Sequence, residues 1–528
     1  MTNRSMKNNS PGLAGRDKKA LPKYLEAVWR DRRIGIAIAA GIAVLFGILV
    51  FLTMPRGPAT STQALVVMIS GLAVGLIAGF ATRSRWAMLL APAMFAIVVE
   101  ITWLGIPGMT VDGIRLDNMY GILALILGRG FFALIALLPM ILGASLGAYA
   151  GRRLSGKEPG TSGLLRTIAR WTPTVITSIV LIALAVVIAL PAMTPTITGA
   201  DGKPVAGSIA ELTTVKLGGH DQAISIRGHS VDKPVLLYLA GGPGQSDLAM
   251  PRVLYGELEK DFVVVCWDQR GTGKSYSSLD PASTLTLDQA TADTIELTNY
   301  LRERFHEDKI YLLGESYGTI LGVKTVQKRP DLYYAFIGSG QMVNVLETDT
   351  RLNHDLVDYA NRTGDKQLAD QMRAFGVPPY KDPYAGAIVA TYYDRLGENF
   401  TPPAEYTELK SASGIGPLNN MAGEYNLVEK VDTVRGLMDV YTIMYPQLQD
   451  IDFRKDATRL EVPVYILDAE YELPQRRDLA VEWYNLLDAP KKRTFTIENA
   501  GHAAAMEGFR DFTRIMNETV LPETYPGR

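Results

Sequence analysis

Five apolar stretches of about 20 residues each, all in the first 193 positions, constrain this 528-residue chain more than any other feature. They run roughly over Ile34–Thr53, Ala64–Ala81, Ala87–Ile106, Phe131–Ala150 and Thr174–Met193. In hydrocarbon a backbone N–H or C=O has no water to bond, so stretches of this kind must close their hydrogen bonds as helices. An all-α transmembrane bundle of about five helices over 34–193 is therefore expected. Met119–Leu127 is also apolar but short, and Gly128-Arg129-Gly130 interrupts it; it reads as a re-entrant piece or an extension of the fourth helix. Gly71, Gly75 and Gly79, and again Gly143 and Gly147, recur every four residues, which suits close helix packing. The first apolar stretch lies deep in the chain and four more follow, unlike a cleaved signal peptide.

A formal net charge of −2 hides a strong asymmetry. Residues 1–33 carry nine Lys/Arg against three acids and run straight into the first apolar stretch, which suits membrane orientation better than nucleic-acid binding. With Arg83, Arg85 and the Arg152–Arg170 loop, sixteen Lys/Arg fall on one side of the bundle; Arg56, Arg115 and Arg129 make three on the other. The positive-inside rule then places the N-terminus in the cytoplasm and everything after Met193 outside the cytoplasmic membrane. The lipid bilayer is the expected partner and nucleic acid is not. Glu100 and Arg129 sit where long side chains reach the interface, so anchoring is the expected role of each. The single cysteine, Cys266, excludes an internal disulfide and a multi-cysteine zinc site; no metal or cofactor is implied.

Beyond a polar tether at 194–207 the pattern changes. Alternating strand patterns (Ile209–Lys216, Ala223–Arg227) lead into buried strands and helices in turn: Pro234–Leu239, Phe262–Trp267, the helix Leu287–Phe305, Lys309–Leu313, the helix Tyr317–Gln327 and Tyr334–Gly338. Such alternation predicts a mostly parallel sheet with helices on both faces. A helical, tyrosine-rich stretch at 345–456 interrupts it and reads as a cap. Strand and helix resume at Val462–Leu467, Arg477–Leu487, Arg493–Ile497 and Ala503–Met516, so 208–344 and 457–528 form the two parts of one core.

Gly314-Glu315-Ser316-Tyr317-Gly318 closes one of these strands and opens a helix, the setting of a nucleophile elbow. A serine nucleophile needs a base, and in this chain order the acid and then the base follow it. Of five histidines only His502, after the strand Arg493–Ile497, meets that condition. Asp468, Glu470 and Glu472 follow the strand before it and are all candidates for the acid. The backbone N–H groups of Tyr317 and of Gly242, in Gly241-Gly242-Pro243-Gly244, are the candidate oxyanion donors. Asp268 and Arg270 are read as braces, pairing with each other or with backbone groups.

Leu239-Ala240-Gly241-Gly242-Pro243-Gly244, Trp267-Asp268-Gln269-Arg270-Gly271-Thr272-Gly273-Lys274-Ser275 and Gly314–Gly318, in that order, resemble the proline iminopeptidase family of α/β-hydrolases over about Ile209 to Val520. The resemblance implies an α/β-hydrolase fold with a helical cap, a Ser-His-acid triad and an aminopeptidase acting on short peptides. It points to Glu472 as the acid, where the family has strand-x-Gly-x-x-Asp, with Asp468 next. It implies cap carboxylates for the substrate's free ammonium group, for which Glu424, and after it Glu405, are available. Ala240 and Glu315 stand where the family often has histidine, which leaves substrate preference open. An esterase or lipase on the same triad is the alternative, and a non-catalytic sensor a further one. Oligomeric state is not legible.

Overall fold

In the computed structural model of the chain, residues 28–156, 163–397, 400–413 and 421–526 are described. Most of the basic arm, Arg4 to Lys23, and Lys157 lie outside the described residues.

The apolar stretches form helices α1 (Arg32–Thr53), α2 (Ser61–Thr82), α3 (Ala87–Trp103), α4 (Met119–Leu154) and α5 (Leu164–Ala189). Four of them are long and apolar enough to cross a membrane by length and composition, whereas α3, at 17 residues, is shorter. Five equivalent spans are thus not what the chain builds. Gly105 at φ +87° and Pro107 end α3 before Ile106. Met119–Leu125 extends the fourth helix, because Ile126–Gly130 is taken up as a single π turn. Thr60 and Asn118 cap α2 and α4, accepting from the N–H groups of Gln63 and Gly121 at 3.2 and 2.8 Å. The two glycine ladders face each other across α2 and α4. A Cβ on Gly75 would stand 2.0 Å from the Met140 carbonyl oxygen, and one on Gly147 2.1 Å from that of Leu76. Arg129 pairs with Glu100 through two hydrogen bonds of 2.8 and 3.0 Å.

An eight-stranded sheet follows, in the order β1-β2-β4-β3-β5-β6-β7-β8. Its strands are β1 (Ile209–Leu217), β2 (His220–Gly228), β3 (Val235–Leu239), β4 (Val263–Trp267), β5 (Ile310–Glu315), β6 (Tyr333–Ser339), β7 (Val464–Ala469) and β8 (Lys492–Ile497). β2 is antiparallel to its neighbours and the rest are parallel. β3 is buried on both faces. Val235, Leu237 and Leu239 pack toward helices α6 (Leu287–Phe305) and α7 (Tyr317–Lys328), and Leu236 and Tyr238 toward the opposite layer.

Between β6 and β7 the cap contributes α8 (Val345–Thr363), α9 (Lys366–Phe375), α10 (Pro383–Ala390), α11 (Ala404–Ser413) and α12 (Leu427–Met444). Asn426 and Glu429 form a capping box that starts α12. This helix lies between three parts of the molecule. Val428 joins the core of the apolar bundle. At Gly436 a Cβ would stand 2.7 Å from the Gly271 carbonyl oxygen, and a Cβ on Gly244 would stand 2.9 Å from Leu437 Cα. α12 therefore touches the bundle and both glycine-rich loops of the core.

Candidate active site

β5 delivers Ser316 to the end of the sheet, and the turn into α7 holds it at φ +51° and ψ −117°. A non-glycine residue there carries roughly 1–3 kcal/mol of backbone strain. The turn is possible only between glycines: a Cβ on Gly314 would meet the Gly318 carbonyl oxygen at 2.5 Å, and one on Gly318 that of Leu239 at 2.0 Å. The Ser339 carbonyl accepts from the Ser316 N–H at 2.9 Å, while the Thr319 hydroxyl donates to the Ser316 carbonyl at 2.6 Å. The hydroxyl of Ser316 is left facing a cavity of about 200 Å³.

His502 comes from the loop after β8. Its Nε2 lies 2.9 Å from Ser316 Oγ, and its Nδ1 is hydrogen-bonded to Glu472 Oε2. The other carboxylate oxygen, Oε1, accepts from the Leu473 N–H at 2.8 Å and from Arg476 Nη1 at 3.0 Å. Burial alone would raise the Glu472 pKa, but the facing His502 and Arg476 outweigh it and hold it down to about 2. The rival acids are occupied elsewhere: Asp468 pairs with Arg477 at 2.7 Å, and Glu470 accepts from the Asn499 N–H at 2.8 Å. Gly340, at φ +59°, makes room for the imidazole; a Cβ there would stand 2.6 Å from the His502 carbonyl oxygen and 3.0 Å from Nδ1.

Gly242, at φ +107°, and Tyr317 line the same cavity as Ser316 and His502. Among the described residues neither backbone N–H donates to another group. The Gln269 side chain donates to the Ala240 carbonyl at the start of the loop that carries Gly242, at 3.4 Å. Asp268, fully buried, accepts from the Lys274 N–H at 2.8 Å and from the Tyr425 hydroxyl at 3.0 Å. Burial raises its pKa to about 8. Arg270 does not pair with Asp268; it bonds Asp293 at 3.0 Å and the carbonyls of Leu217 and Gly218. Both act as braces, each with its own partners.

Glu424 is not placed to receive a substrate. Its buried carboxylate is clamped by Arg252 at 2.6 and 2.9 Å, and it is not among the residues lining the cavity. Arg252, already bound there, satisfies the charge that was to receive an ammonium group. Glu405 is exposed and paired with Arg510 at 2.8 Å. The carboxylate that does line the cavity is Asp349, in the first turns of α8. It is 3 % exposed and accepts from the Tyr445 hydroxyl at 2.7 Å and Gln449 Nε2 at 3.2 Å. Burial raises its pKa to about 6. Arg476 lines the cavity too, its guanidinium 5.1 Å from the centre of the Tyr393 ring. Both residues had a signal in the sequence. Val345, Thr348, Asp349 and Leu352 form one helical stripe with an acid in it, and Arg476 falls one turn after Glu472.

A doubly wound sheet with a serine on a strained strand-to-helix turn, a histidine in reach and a carboxylate behind it defines an α/β-hydrolase. The sequence matches the model of the alpha/beta hydrolase fold family over residues 234–509, and the chain belongs to that family. It is 29 % identical over 306 residues to a probable aminopeptidase of Bacillus subtilis (strain 168), YbaC, covering 58 % of this chain and 94 % of that protein. It is 29 % identical over 191 residues to a proline iminopeptidase of Lactobacillus delbrueckii subsp. lactis, over 36 % of this chain and 62 % of the relative. Among solved structures, a proline iminopeptidase-related protein from Thermus thermophilus aligns with a TM-score of 0.42 and 21 % identity, over 60 % of this chain and 99 % of that one.

Proposed function

We propose that the chain is a membrane-anchored serine hydrolase, an aminopeptidase on short peptides, working outside the cytoplasmic membrane through an acyl-enzyme. The observation that carries this reading is the 2.9 Å approach of His502 Nε2 to Ser316 Oγ, with Glu472 on the far side of the ring. His502 takes the Ser316 proton as Oγ attacks the scissile carbonyl, and ionised Glu472 stabilises the imidazolium that results. The oxyanion is held by the N–H groups of Gly242 and Tyr317. His502 returns the proton to the leaving amine, and water then releases the acyl group by the same steps in reverse order.

Two observations support a peptide with a free N-terminus. The curated relatives carry aminopeptidase names. Asp349 supplies, in the serine's own cavity, the buried carboxylate that Glu424 does not. Membrane anchoring rests on the apolar helices and their exposed faces, where Leu45, Leu49, Leu52 and Ile69 are each more than half exposed. Arg83, Arg85, Arg152 and Arg170 gather at the bundle end remote from the hydrolase, which supports a cytoplasmic N-terminus and an extracytoplasmic catalytic domain.

A fluorophosphonate probe is expected to label the wild type and not Ser316→Ala. Wild type that stays unlabelled would favour the non-catalytic sensor. Amino-acyl arylamides are expected to be cleaved faster than the matching acyl esters lacking an amine; turnover of the esters alone makes the enzyme an esterase. Protease added to intact cells is expected to reach the catalytic domain, and protection would overturn the topology.

A further inference from the structure

A second cavity, of about 550 Å³, opens between α3, α4 and α5 at the bundle end remote from the hydrolase. Arg85, Arg152 and Arg170 all line it, and Arg85 and Arg170 are near enough to Arg152 to repel its charge. Among the described residues none of the three forms an ion pair with a carboxylate. Arg152 spends one N–H on the Arg83 carbonyl at 3.3 Å. Arg170 lies 5.2 Å from the centre of the Tyr149 ring, which packs edge-on against Trp171 at 5.0 Å. The remaining wall is mostly apolar, with Met88, Leu142 and Leu146 in it beside the hydroxyl residues Ser145, Thr174 and Thr177.

Three like charges converging on one cavity, with no carboxylate paired to them among the described residues, are held apart by the backbone that carries them, and an anion would relieve the repulsion. Guanidinium groups match phosphate oxygens with paired hydrogen bonds. A tyrosine and a tryptophan beside them suit the depth of lipid headgroups. A free phosphate would leave the apolar wall unused, whereas an acyl chain would run along it.

We propose that this cavity binds the headgroup of an anionic phospholipid, its chains lying against α4 and α5. The proposal rests on the reading that the bundle lies in a bilayer with its arginine-rich end in the cytoplasmic leaflet. It gives the bundle a task beyond tethering: recognising the lipid that surrounds it.

The test uses the full chain purified in a non-ionic detergent and titrated with dioctanoyl phosphatidylglycerol, dioctanoyl phosphatidylcholine or inorganic phosphate, with the melting temperature as readout. Phosphatidylglycerol is expected to bind saturably and at least roughly tenfold more tightly than phosphatidylcholine, less so as salt rises. Inorganic phosphate is expected to give no shift. The double variant Arg152→Gln/Arg170→Gln should weaken phosphatidylglycerol binding at least roughly fivefold while keeping wild-type fluorophosphonate labelling, since Ser316 is at the other end of the molecule. If that variant does not fold, brominated phosphatidylglycerol decides the matter on folded protein, by quenching the fluorescence that Trp171→Phe removes. Equal binding of the two lipids, wild-type binding by the glutamine variant, a phosphate response matching that of the lipid, or no quenching overturns the site. Carbonate extraction of membranes tests the bilayer reading separately: release of the chain would sink that reading whatever the detergent titration shows.

Discussion

Asp439, in the cap helix α12, accepts two hydrogen bonds from Thr110 in the loop between α3 and α4, one from the N–H at 2.9 Å and one from the hydroxyl at 2.7 Å. The Tyr276 hydroxyl donates to the same carboxylate at 2.7 Å, and Arg56 Nη1 lies 3.5 Å away. Arg56 also bonds Asp280 at 3.1 Å, and Arg435, one turn before Asp439, donates to the carbonyls of Arg56 and Pro58. All of these groups but Asp280 are buried. Two loops of the apolar bundle are thus joined by hydrogen bonds and charge to the helix that walls the serine's cavity with Tyr441, and with Tyr445 just past its end.

Removing Asp439 should therefore be felt in stability and in substrate binding. Asp439→Ala leaves the Thr110 donors and part of the Arg56 charge uncompensated, a loss of about 3 kcal/mol or more. Thermal unfolding of the full chain in detergent measures it. Because α12 shapes the cavity without touching the reacting atoms, KM should rise by a larger factor than kcat falls. A variant that melts with the wild type would show that the bundle and the cap are not joined through this carboxylate.

Arg476 should help to keep Glu472 ionised as pH falls. Glu472 is held below its unfolded pKa, so the stability it contributes is present above the ordinary carboxylate range and is lost as pH falls through about 2. In Arg476→Met, burial acts on Glu472 with one opposing charge fewer, and its pKa rises. The rate of fluorophosphonate labelling, followed from about pH 3 to about pH 8, should then fall off at a higher pH than in the wild type, with a plateau reduced roughly 10- to 100-fold by the misplaced imidazole. Arg476→Lys, which keeps the charge, should recover part of the shift. An acid limb that stays in place would mean that Arg476 does not govern Glu472.

Asp349 carries the expected selectivity for free amines. Its pKa is raised to about 6 by burial, so the proton held by the folded state is lost as pH rises through that value. Stability is therefore lost as pH rises from the ordinary carboxylate range to about 6, and as that pH is passed the folded state gains the carboxylate that binds an ammonium group. For an amino-acyl arylamide kcat/KM should climb through about pH 6, while for the matching ester without an amine that limb should be absent. Asp349→Asn should erase the limb and the preference for the amine together, and should melt higher than the wild type above about pH 7. Identical profiles for the two substrates would remove Asp349 from recognition.

The residues that were legible and those that were not differ in a physical way. Ser316 was legible because the turn that exposes it demands glycine on both sides, and His502 because the chain has only five histidines to choose from. Both are consequences of local geometry and chain order. Glu472 was singled out from Asp468 and Glu470 through family resemblance alone; what distinguishes it in space is that the other two are held by Arg477 and by the Asn499 N–H. Glu424 misled because its partner, Arg252, lies 172 residues earlier, where no local pattern links them. Asp349 and Arg476 face the cavity only once the cap has folded over the sheet. The apolar stretches announced helices correctly, but where α3 stops and how α4 absorbs Gly128-Arg129-Gly130 depend on backbone detail that hydropathy does not carry.

The glycine ladders give the last prediction, on the bundle itself. At Gly75 an added Cβ would stand 2.0 Å from the Met140 carbonyl oxygen and 2.9 Å from the Ala144 amide nitrogen, and both neighbours are backbone. No side chain can swing aside there, so Gly75→Ala must push α2 and α4 apart and loosen the reciprocal contacts of Gly143 and Gly147 with the Leu72 and Leu76 carbonyls. Gly41, in α1, has nothing within 4 Å of such a Cβ, and Gly41→Ala is the matched control. There the gain in helix propensity, about 1 kcal/mol at most, meets no steric cost. In detergent Gly75→Ala should melt several degrees below the wild type, and Gly41→Ala at or slightly above it. Equal melting of the two variants would mean that α2 and α4 do not pack through this ladder, and that the bundle is held by its apolar side chains alone.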